Sequence, residues 1–208
     1  MAVATPTAAP FHLCAGHPVL DLVNTLDNRF RADGPTELLP DYEALLRFME
    51  QSGLLGGVQV RALSRRTGKD EAERASDSAR ELREAAASVL YAAAEDAVPP
   101  TTDLRRLALY VQNARHRQEL VCTPSGPGSK FAWEWGTSQS EGDLPVWILS
   151  LQTSALLTSD ALDRLRACGS ETCRWLFLDT SKNHTRRWCD MKICGNRMKA
   201  RRFQARRM

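Results

Sequence analysis

Apolar positions recur at helical spacing through most of the first 116 residues. HPVLDLVNTLDNRF, residues 17–30, sets Val19, Leu20, Leu22, Val23, Leu26 and Phe30 on such a repeat, with Pro18 suited to a first helical turn. After a loop holding Gly34, Pro35 and Pro40, Asp41 can cap DYEALLRFMEQSG. There Leu45, Leu46, Phe48 and Met49 face inward and Gly53 is the stop. Residues 57–66 predict a short helix. Residues 70–97 run for 28 residues without Gly or Pro and are rich in Ala, Glu and Arg, which predicts a long helix ended by Pro99 and Pro100. Thr101 or Thr102 can cap the next helix, which reaches about His116 and carries Leu104, Leu107, Leu109 and Val111.

The period then changes. ELVCTPSGPGSKFAWEWG reads as strand, Pro/Gly loop and strand, with Phe131, Trp133 and Trp135 alternating onto one face. Pro145 opens VWILSLQTSALLTS, apolar enough for a buried helix, and Ser159 caps DALDRLRA, a helix leading to Cys168. No internal repeat is present. The first ten residues, MAVATPTAAP, lack the basic patch and apolar stretch of a secretory signal. A disordered leader is expected over residues 1–11, a helical domain over 12–165 and a small domain over 166–208. The class is α+β, mainly α. No apolar run approaches the roughly 18–20 residues of a membrane span, so a soluble, cytoplasmic protein without membrane contact is expected.

Charge divides the chain at the same place. The net charge of +3 is the balance of −7 over residues 1–163 and +10 over residues 164–208, where 13 basic side chains meet 3 acidic ones. An ordinary solvated surface mixes both signs, so the loss of carboxylates is the informative half of this pattern.

Four of the six cysteines, Cys168, Cys173, Cys189 and Cys194, fall within 27 residues. They form two pairs, CGSETC and CDMKIC, each with four residues inside and fifteen between. Paired short spacings with a longer insert suit tetrahedral metal binding: each loop brings two sulfurs to one ion, and the insert returns the second pair. RWLFLD (174–179) predicts a strand, TSKN a turn and HTRRWC the returning strand. A helix then starts just after Cys194, with Gly195 in tight backbone beside the last ligand and Asn196 as its cap. This order is treble-clef-like. Disulfides are uncommon in a cytosolic chain, and a redox pair normally has two intervening residues. Spacing alone does not separate zinc from iron. One structural Zn2+ with four thiolates and no open position is the expected cofactor. His184 reads as an exposed turn residue rather than a ligand in place of one of the cysteines, and Cys14 and Cys122 as small apolar residues.

From Lys182 onward there are ten basic residues and one acidic one, Asp190. Lys182, Arg186 and Arg187 fall on the insert and Lys192 between the ligands. Arg197, Lys199, Arg201, Arg202, Arg206 and Arg207 fall on the terminal helix, where Met198 and Phe203 point different ways and leave no broad apolar stripe. A helix fixed at one end and otherwise exposed suits phosphate contact, and DNA is the expected partner. A solvated tail and an acidic protein partner are the competing readings.

The segment CRWLFLDTSKNHTRRWCDMKICGNRMKARRFQARR closely resembles the CGNR zinc-finger family, whose naming tetrapeptide is Cys194-Gly195-Asn196-Arg197 here. HPVLDLVNTLDNR, the Gly53-Leu54-Leu55 step and the run from Val146 to Cys168 resemble its usual N-terminal partner, the ABATE domain. The resemblance implies a stress-induced bacterial transcription regulator with a treble-clef-like zinc domain, all four cysteines matching, and an N-terminal module that senses a small molecule.

Candidates for such an effector site are Asp21, Asn24 and Thr25, polar residues in an otherwise apolar helix, and the Trp133/Trp135 face. The structural alternatives are helix capping or cross-linking for the first group and core filling for the tryptophans. A homodimer is a further role open to this module. No nucleophile elbow, phosphate-binding loop, dinucleotide motif or zinc-deaminase signature occurs, so no enzymatic activity is expected. The leading expectation is a transcription regulator that binds DNA through a structural-zinc module. The alternatives are an adaptor using that module as a protein-interaction scaffold and, behind it, an RNA-binding protein or an enzyme acting in the first domain.

Overall fold

His17 opens helix α1 (Pro18–Val23), its Nδ1 accepting a hydrogen bond from the Val19 amide at 3.2 Å. The computed structural model describes residues 9–125, 128–136 and 141–205; the expected leader lies outside them up to residue 8. Helix α1 is shorter than its apolar repeat predicts, because Asn24 and Thr25 offer the backbone other partners. The Thr25 hydroxyl donates to the Leu22 carbonyl at 2.6 Å. Leu26–Asp27 then forms strand β1, paired antiparallel with β2 (Thr36–Glu37). Phe30 is left at the surface, edge-on to Tyr91.

The other helices follow their sequence signals closely. Asp41 caps α2 (Tyr42–Gln51) by accepting from the Ala44 amide at 2.8 Å, and Gly53 at φ 73° ends it. Helix α3 spans Gly57–Arg66, α4 Lys69–Ala94 and α5 Thr101–His116. Helix α5 begins directly after Pro100, without a side-chain cap from either threonine. On α4 the small residues Ala75, Ala79 and Ala86 let α1, α5 and α6 (Leu144–Leu157) pack close around Leu82, Val89 and Leu90. Helix α6 buries Ser150 and Thr153, whose hydroxyls donate to the Val146 and Leu149 carbonyls. Arg83 of α4 is also buried and makes a two-pronged pair with Glu37 at 2.6 and 2.7 Å.

Strands β3 (Gln118–Ser125) and β4 (Gly128–Trp135) form the expected hairpin, pairing Gln118 with Trp135, Leu120 with Trp133 and Cys122 with Phe131. Core filling holds only at its root. Trp135 is half-buried and stacks on Trp147 at 6.0 Å, whereas Trp133 and Phe131 are 63% and 69% exposed.

The predicted helix at DALDRLRA is a short 3-10 turn, Asp160–Arg164, because the residues after it are drawn into a sheet. Strand β5 (Leu165–Ala167) pairs antiparallel with β6 (Leu176–Leu178). The strand expected at 174–179 is thus present, but its partner lies upstream of the first cysteine pair, not in HTRRWC. All three β6 side chains, Leu176, Phe177 and Leu178, enter the same core as the helices. At roughly 2 kcal/mol each, they contribute about 6 kcal/mol toward docking this segment.

The free edge of β6 is covered by the residues flanking α1 rather than by a strand. Cys168 N–H donates to the Trp175 carbonyl and Asp179 N–H to the Arg164 carbonyl, so Leu176 and Leu178 turn their backbone groups outward. The Asn24 amide meets Leu176 on both sides: Nδ2 donates to its carbonyl at 2.9 Å and Oδ1 accepts from its N–H at 3.0 Å. Leu178 N–H donates to the Ala15 carbonyl at 2.8 Å. No helix among the described residues is long and apolar enough to cross a membrane.

Asp21 supports the turn into α1 by accepting from the Ala15 amide at 3.0 Å, and burial pushes its pKa up to about 6. A raised carboxyl pKa means that the folded state holds a proton the unfolded chain has already lost. Stability from this group is therefore present below about pH 4 and lost as pH rises through 6. Asp21→Asn keeps the Oδ1 acceptor without the charge. In urea titrations at matched pH it is expected to exceed the parent by about 2 kcal/mol at pH 7.5, with the gap narrowing toward pH 5. A gap independent of pH would show that Asp21 is not the titrating group.

Candidate metal centre

Each cysteine pair is held by its own backbone device. Cys168 follows β5 directly, and the chain turns back through Ser170, whose carbonyl accepts from the amides of Cys173 at 2.9 Å and Arg174 at 3.0 Å. Arg174 takes φ 56° to complete this knuckle. Gly169 permits a close crossing: its N–H donates to the Arg187 carbonyl at 2.9 Å, and a Cβ there would lie 3.3 Å from that oxygen. The second pair rides on a π-turn, Met191–Gly195, opened by Asp190. The Asp190 carboxylate accepts from Lys192 N–H at 2.6 Å, and its carbonyl accepts from Cys194 N–H at 2.9 Å. Helix α7 (Asn196–Ala205) continues directly. The expected cap at Asn196 belongs instead to Asp190; Asn196 is already helical, and its side chain donates to the Lys192 carbonyl at 3.0 Å. Gly195 is buried under Met191 and Trp188, as tight backbone beside the last ligand requires.

These devices converge the four buried sulfurs of Cys168, Cys173, Cys189 and Cys194 within 4.8 Å of one another, with Cys173–Cys189 and Cys189–Cys194 at 3.6 Å. Tetrahedral zinc with Zn–S bonds near 2.3 Å needs sulfurs about 3.8 Å apart, so the set fits one zinc ion. As bare thiols the four compete for protons. Hydrogen bonds from Cys173 and Cys189 pull Cys168 down, contact with Cys168 and burial push Cys173 up, and the neighbouring Cys14 thiol, followed by Cys168 and Cys173, pushes Cys189 up. A divalent cation would resolve that conflict by stabilising thiolates together. With four sulfurs committed, the ion would organise the fold, leaving no place for a reactive water. His184 is exposed at φ 49° in the turn and stands outside the cysteine cluster.

The expected DNA-contacting side chains separate into groups. Lys182, Arg187, Lys192, Arg197, Lys199 and Arg201 are exposed on the segment that surrounds and follows the cluster. Arg186 stands apart: its Nε donates to the Trp188 carbonyl at 2.9 Å and its Nη2 to the Cys14 and Cys189 carbonyls. Its guanidinium lies 4.4 Å from the Phe177 ring centroid. It fastens the second cysteine pair to β6 and to the N-terminal segment. The Arg202 side chain, Arg206 and Arg207 lie outside the described residues.

Asp21, Asn24 and Thr25 all serve as internal cross-links; Thr25 also accepts from Arg83 at 3.2 Å. Of the tryptophan pair, Trp135 borders a cavity of about 200 Å3, shared with Trp147, Leu63, Gln59 and Glu141, and Trp133 does not. Spacing gave no sign of several further participants. Cys14 is a fifth thiol beside the cluster, and the neighbouring Cys189 draws its pKa below the ordinary value. His12 meets Asp190 at 3.0 Å, and Trp175 Nε1 donates to Asp27 at 2.9 Å, so residues before and just after α1 brace both halves of the metal site.

Two family models match the chain. The CGNR zinc finger covers residues 164–207, and ABATE, described as "Putative stress-induced transcription regulator", covers residues 16–167. No curated protein matches it.

Proposed function

We propose that this chain, which belongs to the ABATE family and carries a CGNR zinc finger, is a transcription regulator that binds DNA through α7 and the residues around its metal clamp. The observation carrying this reading is the placement of Arg197, Lys199 and Arg201 on an exposed helix whose start is fixed by the last sulfur ligand. Lys182, Arg187 and Lys192 extend the same cationic segment back across the finger. Packing alone does not hold such a helix, since among its described side chains Met198 is the one that is half-buried and the others are exposed. The metal sets its direction, and phosphate neutralisation rewards its charge. The helical module would then supply sensing or self-association, and no step of this reading calls for catalysis.

The test is a DNA titration across salt concentration. Six exposed cations engaging about six phosphates give a log–log slope near −5. Arg197→Ala and Arg201→Ala are each expected to reduce that slope by about 1, whereas Arg186→Ala acts through stability instead. A flat salt response would sink the DNA reading and favour a protein-interaction adaptor.

A further inference from the structure

The β3–β4 hairpin carries an apolar face that nothing within the described chain covers. Register places Leu120 opposite Trp133 and Cys122 opposite Phe131, so all four share one face with Trp135 and Gln118. At the root this stripe is continuous with the core through the Trp135–Trp147 stack. Two residues farther out the same stripe is in solvent, with Leu120 59%, Trp133 63% and Phe131 69% exposed. A two-stranded ribbon is marginal in water by itself, and large side chains are not normally left in solvent along its length. The opposite face carries Glu119, Lys130 and Glu134, so charge patterning already identifies which side meets water.

We infer that this face is a dimer interface, occupied by the same ribbon of a second copy of the chain. The large side chains, Phe131 and Trp133, form a column on β4, and the smaller ones, Cys122 and Leu120, a column on β3. A two-fold axis parallel to the strands lays the β4 column of one copy on the β3 column of the other. Trp133 then rests on Leu120 of the second copy and Phe131 on its Cys122, large against small at both levels. The central patch carries no charge, so two identical copies do not repel each other across it.

The area suits such an association. Aromatic side chains of roughly 150–250 Å2 at these exposures, with Leu120 and the flanking Gln118, Cys122 and Pro124, bring on the order of 500 Å2 per copy. The total, on the order of 1,000 Å2, lies at the lower bound for a specific interface and predicts a micromolar, reversible dimer. This inference stands independently of whether α7 contacts DNA.

Sedimentation of the full chain tests it. At about 100 µM the protein is expected to show twice the 23.2 kDa chain mass. Trp133→Lys and Leu120→Glu, both at exposed positions, should each return the mass of one chain while circular dichroism and zinc content stay unchanged. Mixing the two variants should restore the dimer, because the introduced ammonium then faces the introduced carboxylate across one half of the interface. Across the other half, the native leucine still faces the native tryptophan. A parent that stays monomeric would overturn the inference, as would a dimer that survives Trp133→Lys. So would two monomeric variants that fail to recombine.

Discussion

Cys189→Ala is expected to reduce the bound metal from about one zinc per chain to near zero and to unfold the segment from Cys168 onward. Cys189 touches both Cys173 and Cys194 at 3.6 Å, so its loss removes the sulfur joining the two halves of the clamp. Structural zinc contributes on the order of 10 kcal/mol or more to such a small segment. Burial of Leu176, Phe177 and Leu178 contributes about 6 kcal/mol, so packing does not replace the metal. The result should appear as lost zinc in elemental analysis together with a lower, broader thermal transition. Cys122→Ala, at an exposed strand position, should leave the metal content unchanged. A parent with well under one zinc per chain, indifferent to Cys189→Ala, would eliminate the clamp.

Asn24→Ala should cost about 2–4 kcal/mol in urea unfolding, an unusually large effect for one amide. The substitution leaves both the Leu176 N–H and its carbonyl buried without their partner, each at a penalty of about 1–3 kcal/mol. Asn24→Asp should be at least as harmful: it retains an acceptor for the N–H but points a carboxylate oxygen at the carbonyl. A loss below about 0.5 kcal/mol would mean that the Asn24 bridge is not maintained in solution.

How much of this could be read from the sequence depended on the range of the signal. Helices α2 to α6 and the β3–β4 hairpin announced themselves through periodicity, Pro and Gly positions and caps such as Asp41, all of which act within a few residues. The cysteine set was equally legible, because ligand spacing is itself local. Failures came where a side chain answered to something distant. The repeat continued through Leu26, yet α1 ends at Val23 because Asn24 has its partner at Leu176. A strand was visible at 174–179, but HTRRWC offered a nearer mate than Leu165–Ala167. Arg186 looked like every other arginine of the basic run, since nothing in local composition distinguishes a cation over Phe177 from one facing solvent. Trp133 failed in the opposite sense: an aromatic in an alternating strand reads as core, and only the shape of the whole molecule leaves it outside.

Strand β5 falls within the four residues, 164–167, that both family segments share. A chimera cut at that overlap would receive a foreign β6 against a resident Asn24, Ala15 and Asp27. It would inherit the mismatch even if all four cysteines and the basic helix were intact. Exchanging zinc-finger ends between relatives therefore requires a transplant in two pieces, the stretch from about His12 to Asn28 travelling with the finger it braces. The unit that can be passed intact from one protein to another is discontinuous along the chain.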